Sequence, residues 1–390
     1  MRLLLLLLMP MAGFAKTVEL GFPDLEHRIK VELPDDYDPA KKYPAVFYYP
    51  GTDGQPDTSL IRNHVDGREW IVVGMAYYQQ GKFTYTAEAL AKELTLLRSV
   101  RRNLAEKRGL DQKRCYVAGI SKGGWIADLL LQAEPTLAGG AILCAGHLYR
   151  ANNSGRGSSA RGTGKPVYIG VGRLDDNYPF SLRALLYHRS TGAQPTFETW
   201  QGIAHVFPKE GSTALQQWFA MRVHPADKLR AVAEKEMRGE LAEAEKLDAY
   251  AKWMRLKQLK EYPYSYLLGD VWIESLIGKT AALEANDPIK TEAAFFSWHR
   301  KLLFQELNEK TVLGMAKINL AYQNLILKAP HARQAVLARH DHKRTQQLYH
   351  QYKEQDALAK EKKGNKDPFA PVEPKLPENK RRIPGNPLIR

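Results

Sequence analysis

Cysteine is almost absent, with two residues in 390, Cys115 and Cys144, and no C-x-x-C pair. That excludes a disulfide framework, a zinc ribbon and a thioredoxin-type redox site. Both cysteines fall in apolar runs that read as buried strands, where a free thiol behaves as a small hydrophobe. Beyond the first fifteen residues, no segment reaches the roughly 18 uninterrupted apolar residues of a membrane span, so no stable membrane span is expected. No fixed-period repeat is present, which leaves a solenoid as the weaker option. Metal-ligand spacing is lacking too: His340-Asp341-His342 alone is too small a set for a closed site, so neither metal nor cofactor is expected. Nor does one charge sign cluster. Lys and Arg number 57 against 43 Asp and Glu, a formal net charge of +14. The surplus is spread, with 26 basic and 21 acidic residues over 16–222 and 30 and 22 over 223–390. Such a surface would meet an acidic polymer or envelope rather than form a dedicated nucleic-acid cleft.

What is present is a chain 44% apolar, ample for a buried core, and long enough for two or three folding units at roughly 100 to 200 residues each. Residues 1–15 read as a signal peptide: Arg2, an apolar run from Leu3 to Leu8, a Pro/Gly break, and small residues Gly13 and Ala15 before Lys16. The expected mature location is therefore secreted or periplasmic. Over 16–222 short apolar runs alternate with amphipathic stretches, the pattern of an α/β sheet. Runs such as Ala45 to Tyr49, Trp70 to Met75 and Val167 to Val171 are near-continuous, as parallel strands buried on both faces are. Val18 to Val31 alternates more and suits an antiparallel edge. From 223 to 361 the sequence is rich in Ala, Leu, Glu, Lys and Gln, broken only by Pro225, Pro263, Pro288 and Pro330, which predicts long helices packed on the sheet. Leu229, Val232 and Met237 begin one apolar stripe; Leu302, Leu303, Leu307, Leu313, Met315 and Ile318 suggest another. Residues 362–390 read as a disordered Pro/Lys-rich tail, with Pro368, Pro371, Pro374 and Pro377 at the three-residue interval of a polyproline II rod.

Three segments carry candidate chemistry. In Gly119-Ile120-Ser121-Lys122-Gly123-Gly124 a predicted strand runs directly into a predicted helix. A serine on so tight a turn is strained and needs small residues two places before and after it, and the helix that follows points its positive end at the serine. In Gly172-Arg173-Leu174-Asp175-Asp176-Asn177 an acid stands at the C-terminal tip of a buried strand, placed to orient a histidine. Asp175 is favoured for that task; Asp176 is the alternative acid, and the one not so used is expected to cap the helix beginning near Phe180. In Gly202-Ile203-Ala204-His205 a histidine follows a β-rich run. Most other histidines have plainer readings: His299 on a helix, and His340, His342 and His350 on a charged solvated face. Tyr49, Tyr77, Tyr78 and Trp125 fall near strand ends or beside the serine, where they form either an aromatic substrate platform or ordinary edge packing.

With serine, acid and histidine in that order, 54 and 30 residues apart, the segment 16–222 resembles the α/β-hydrolase superfamily, in particular compact esterases of the feruloyl-esterase, polyhydroxyalkanoate-depolymerase and dienelactone-hydrolase kind. The resemblance implies a mostly parallel sheet flanked by helices, a catalytic triad of Ser121, Asp175 and His205, and an acyl-enzyme route on small-molecule or polymer-linked carboxylic esters. It further implies an oxyanion hole from the backbone amide of Lys122 and a second amide in Tyr49-Pro50-Gly51-Thr52, that of Thr52 or its neighbour Gly51. Pro50 stands where the family usually has histidine. Residues 145–165 lack an apolar helical period, so an open site without a hydrophobic lid is expected. Serine peptidases of the prolyl-oligopeptidase type share the motif and the order, and a non-catalytic binder of envelope or polymer is the remaining alternative. The resemblance does not extend to the C-terminal helices.

Overall fold

The computed structural model describes residues 16–364, apart from 24, 53–54, 79–85 and 148–163. The expected signal peptide, most of the expected open loop and nearly all of the Pro-rich tail lie outside the described residues. The strands are β1 (Thr17–Leu20), β2 (Ile29–Glu32), β3 (Tyr43–Tyr49), β4 (Ile71–Gly74), β5 (Leu110–Ile120), β6 (Gly139–Leu143), β7 (Pro166–Gly172) and β8 (Gln194–Trp200). They form one sheet in the order β1-β2-β4-β3-β5-β6-β7-β8. β1 and β2 join antiparallel, and β2 joins β4 antiparallel. Every later pairing is parallel.

Burial explains the sequence pattern. β3, β4 and β6 are buried at every position, because helices cover both faces of the parallel part. β1, at the edge, alternates between exposed and half-buried residues. The helices of this part are α1 (Ser59–Arg62), α2 (Ala87–Lys107), α3 (Lys122–Ala133), α4 (Tyr178–Ser190) and α5 (Thr213–Val223). Thr86 starts α2 by accepting the amide of Ala89, and Ser212 starts α5 by accepting that of Leu215. Leu90, Leu97, Val100 and Leu104 of α2 join Ile126, Leu129 and Leu130 of α3 on one face of the sheet. Trp218 and Phe219 of α5 pack with Trp70, Tyr116 and Tyr168 on the other.

Among the described residues seven helices follow: α6 (Ala226–Glu245), α7 (Ala249–Leu259), α8 (Pro263–Leu268), α9 (Asp270–Glu284), α10 (Asp287–Asn308), α11 (Val312–Lys328) and α12 (Ala335–Gly364). The prolines mark their borders: Pro225 precedes α6, Pro263 opens α8, Pro288 lies in the first turn of α10, and Pro330 sits between α11 and α12. Leu229 and Met237 of α6, with Leu256 and Leu259 of α7, extend the core beneath α5. Phe295 and Leu302 of α10, Met315, Ile318 and Tyr322 of α11, and Ala338 and Leu348 of α12 form a core of their own. Leu303 and Leu307 of α10 leave that core and pack on Val171, Tyr178 and Leu182, beside the end of β7. Two stripe residues differ from expectation. Val232 and Leu313 are exposed, since each turns to the solvent side of a helix whose buried face is filled by its neighbours.

Candidate active site

β5 delivers its chain straight into α3, and Ser121 is the single residue between them, at φ 54°. A side chain there is rare because the left-handed region crowds Cβ against the backbone. Ser121 is held in it by hydrogen bonds on both sides: its amide donates to the carbonyl of Leu143 at 2.9 Å, and its carbonyl accepts from Trp125 at 3.2 Å. The turn closes against β3. A Cβ on Gly123 would stand 2.1 Å from the carbonyl oxygen of Tyr49, so only glycine allows the first turn of α3 to lie there.

The acid loop and the histidine loop are bound together. Arg173 donates its amide to Trp200, and Leu174 donates to Ile203, at 2.9 and 2.8 Å. Gly172 permits this closeness, because a Cβ on it would lie 2.2 Å from the carbonyl of Ala204. Asp175 is buried at 1% exposure. Its Oδ1 accepts the amide of Asn177 at 2.8 Å, and the thiol of Cys144 is a near neighbour. Burial and the neighbouring Asp175 carboxylate push the Cys144 thiol well above its ordinary range.

His205 sits between acid and serine. Its Nδ1 lies 3.0 and 2.9 Å from the two oxygens of Asp175, and its Nε2 lies 2.7 Å from Ser121 Oγ. The bond to Asp175 raises the imidazole pKa above its ordinary value; partial burial opposes this, and the charge of Asp175 adds to it. With Nδ1–H directed at the carboxylate, Nε2 is the free base facing the hydroxyl. The histidine side chain remains 47% exposed, so the pair opens to solvent.

The remaining residues expected at the site fall as follows. Lys122 is the first residue of α3, where amides have no partner within their own helix. Its ammonium lies 4.3 Å from the centre of the Tyr77 ring, and burial lowers its pKa, with Glu93 opposing. Thr52 follows Gly51, whose Cβ position is 3.9 Å from Ser121 Cβ, so this loop passes beside Ser121. The expected aromatic platform needs correction. Tyr49, Tyr77 and Trp125 are all buried, because each points into the packed layer under the strand ends rather than toward the rim. Tyr77 has a different task, its hydroxyl donating to the carbonyls of Pro50 and Gly51, which braces the loop opposite Ser121. Tyr78 is half-buried. Asp176 is exposed and does not take the N-cap position of α4, which belongs to Asn177, itself without a side-chain cap bond; Asp175 serves both the histidine and the loop.

The histidine run of α12 also differs from expectation. Asp341, between His340 and His342, is fully buried, and Arg173 beside the acid reaches it. Reading α12 as a solvated face missed this, and the one available signal was Arg173 itself, a charge at the end of an otherwise apolar strand. Among the described residues no cluster of three His, Cys, Asp or Glu could hold a metal, and no helix is long and apolar enough to cross a membrane.

No protein-family model matches this chain, and no curated protein matches it. Solved structures show likeness at low identity. A ferulic acid esterase of the anaerobic fungus Anaeromyces mucronatus aligns at 16% identity and TM-score 0.38 over 50% of this chain and 84% of its own. A feruloyl esterase module from Clostridium thermocellum, complexed with sinapinate, aligns at 15% and 0.38 over 50% and 83%. The isopeptidase AtxE2 aligns at 12% and 0.44 over 57% of this chain, which spans 43% of that protein. The chain's own strand order, its left-handed serine between β5 and α3, and the succession of serine, acid and histidine at three strand ends make its fold that of the α/β-hydrolases.

Proposed function

We propose that the protein is a secreted serine hydrolase that cleaves carboxylic esters through an acyl-enzyme intermediate, acting on short-chain or polymer-linked acyl or feruloyl esters. The observation that carries this reading is the continuous link Ser121 Oγ to His205 Nε2 at 2.7 Å and His205 Nδ1 to Asp175 at 2.9 Å. In the first half-reaction Nε2 takes the hydroxyl proton as Oγ bonds to the ester carbonyl carbon, and the imidazolium is stabilised by the buried carboxylate. The amides of Lys122 and of Gly51 or Thr52 receive the negative oxygen of the tetrahedral intermediate, a contribution of about 3 kcal/mol per donor in comparable sites. The imidazolium then protonates the departing alcohol. Water enters and loses a proton to the same nitrogen as its oxygen bonds to the acyl carbon, and the imidazolium returns that proton to Oγ as the acyl–Oγ bond breaks, releasing the acid and free Ser121. The half-exposed histidine supports an open site in which a group hanging from a polymer reaches the serine.

The test is turnover of a p-nitrophenyl acyl series, a feruloyl ester and peptide p-nitroanilides by the purified protein and by Ser121→Ala. Ester turnover that vanishes in the variant is expected. Preference for the anilides would make the protein a peptidase instead, and no turnover of any kind, with retention on polymer, would make it a binder.

A further inference from the structure

Arg173 stands two residues before Asp175, and its side chain leaves the sheet for the helices. The guanidinium lies 4.4 Å from the centre of the Tyr178 ring, and its Nη2 donates to Asp341 Oδ2 at 2.8 Å. Tyr178 in turn donates its amide to the carbonyl of Asp175 at 2.9 Å. The arginine therefore touches the acid loop at both ends, through its own backbone and through Tyr178. Asp341, on α12, is fully buried and engaged on both oxygens. His299 of α10 lies 2.6 Å from Oδ2, Arg344 donates to Oδ1 at 2.5 Å, and His340 lies 3.5 Å from Oδ1. Arg344 also pairs through two nitrogens with the buried Glu306, at 2.9 and 2.8 Å, and Tyr322 of α11 faces Glu306 at 3.5 Å. Two guanidinium groups and two carboxylates thus balance inside the helical layer.

A buried ionic network of this kind is a poor device for stability alone, since apolar residues of the same volume do as well or better. Leu303 and Leu307 already supply the apolar contact to Val171, Tyr178 and Leu182 at this place. What the network adds is direction, because a planar guanidinium held by a fixed carboxylate and an aromatic face has little freedom. We infer that Asp341, acting through Arg173, is a positioning residue for Asp175 and so for His205, and that α10 to α12 are the outer wall of the active site. This rests on the reading of Ser121, His205 and Asp175 as the reacting groups.

The bond to Asp175 and the charges of Asp175 and Asp176 raise the His205 pKa, against partial burial. A loosened acid loop therefore acts on His205 by weakening its bond to Asp175, and the imidazole pKa falls back toward its ordinary value. Only neutral His205 accepts the serine proton, so the acid limb of kcat/KM moves to lower pH while kcat falls. The experiment uses the full chain with its best p-nitrophenyl ester, comparing the pH profiles of the unaltered protein, Ser121→Ala and the double variant Arg173→Met/Asp341→Asn. The double variant removes one charge of each sign, and Arg344 keeps Glu306. Expected are a ten- to hundredfold loss of kcat, about what a misplacement of roughly 1 Å costs, an unchanged KM, and an acid limb displaced downward. If the double variant does not fold, Arg173→Lys, which keeps the charge but not the flat face over Tyr178, is read in the same way. A folded variant with an unchanged kcat overturns the inference, as does a loss of kcat with the limb in place. If instead Ser121→Ala retains the activity, the proposed function itself falls and this inference falls with it.

Discussion

His205 is exposed on one edge and bound to a buried carboxylate on the other, and that asymmetry sets what each neighbouring acid can do. Asp175 lies within 3.0 Å of Nδ1, whereas Asp176 is exposed and reaches the imidazole only as a distant charge. Asp175→Asn should therefore cost about 10⁴-fold in kcat through the wrong tautomer, and Asp176→Asn should cost little. Because Asp175 raises the His205 pKa, kcat/KM measured against pH should fall on the acid side at a value above that of an ordinary imidazole. At still lower pH both imidazole nitrogens carry protons and Nε2 accepts none. A limb at or below the ordinary value would contradict this geometry. Ser121 and Asp175 stood out as candidates because each follows an apolar run and a turn, and His205 because it follows a β-rich run that ends in a glycine turn. The partner of Arg173 did not stand out, since Asp341 lies 168 residues away and its immediate neighbours are polar. The aromatic side chains were ambiguous for a related reason: residue type does not reveal on which side of a strand end a tyrosine lies.

At the scale of elements, the turn between β5 and α3 depends on backbone passing backbone. Gly123→Ala places a methyl 2.1 Å from the carbonyl of Tyr49, and neither α3 nor β3 can yield without moving Ser121. The variant should lose about 2 kcal/mol or more of stability, seen as a melting temperature several degrees lower, together with most of its activity. Unchanged melting and turnover would show that the turn is looser than described. The sheet was readable where helices cover both sides, as in β3, β4 and β6. β5 begins earlier than its apolar run, at Leu110, because Asp111 to Arg114 are drawn into the strand by pairing near Tyr43, and a partner's hydrogen bonds leave no mark on hydropathy. Prolines border α6, α8, α10 and the turn before α12, but the breaks between α6 and α7, α8 and α9, and α10 and α11 carry none, so the sequence predicts a set of long helices without their number. Their faces were less legible still: Leu313 continues a stripe in the sequence but is 67% exposed, because the buried side of α11 is set by α10 and α12 rather than by the spacing within one helix.

For the whole molecule, two bodies of structure meet at the acid loop. The sheet supplies the serine and histidine from β5 and β8. The helical layer reaches the loop after β7 through Leu303, Leu307 and the Arg173–Asp341 pair. That arrangement packs the C-terminal helices against the loop of Asp175, a contact their composition alone did not disclose. The account depends on Ser121 being a nucleophile activated by His205. The most direct measurement is labelling with a fluorophosphonate, in which Oγ bonds to phosphorus and fluoride leaves, followed by mass mapping of the adduct. One adduct on the peptide bearing Ser121, absent in Ser121→Ala and strongly slowed in His205→Ala, is the predicted result. Labelling that persists in Ser121→Ala, or an unaltered protein that takes no label, would contradict it.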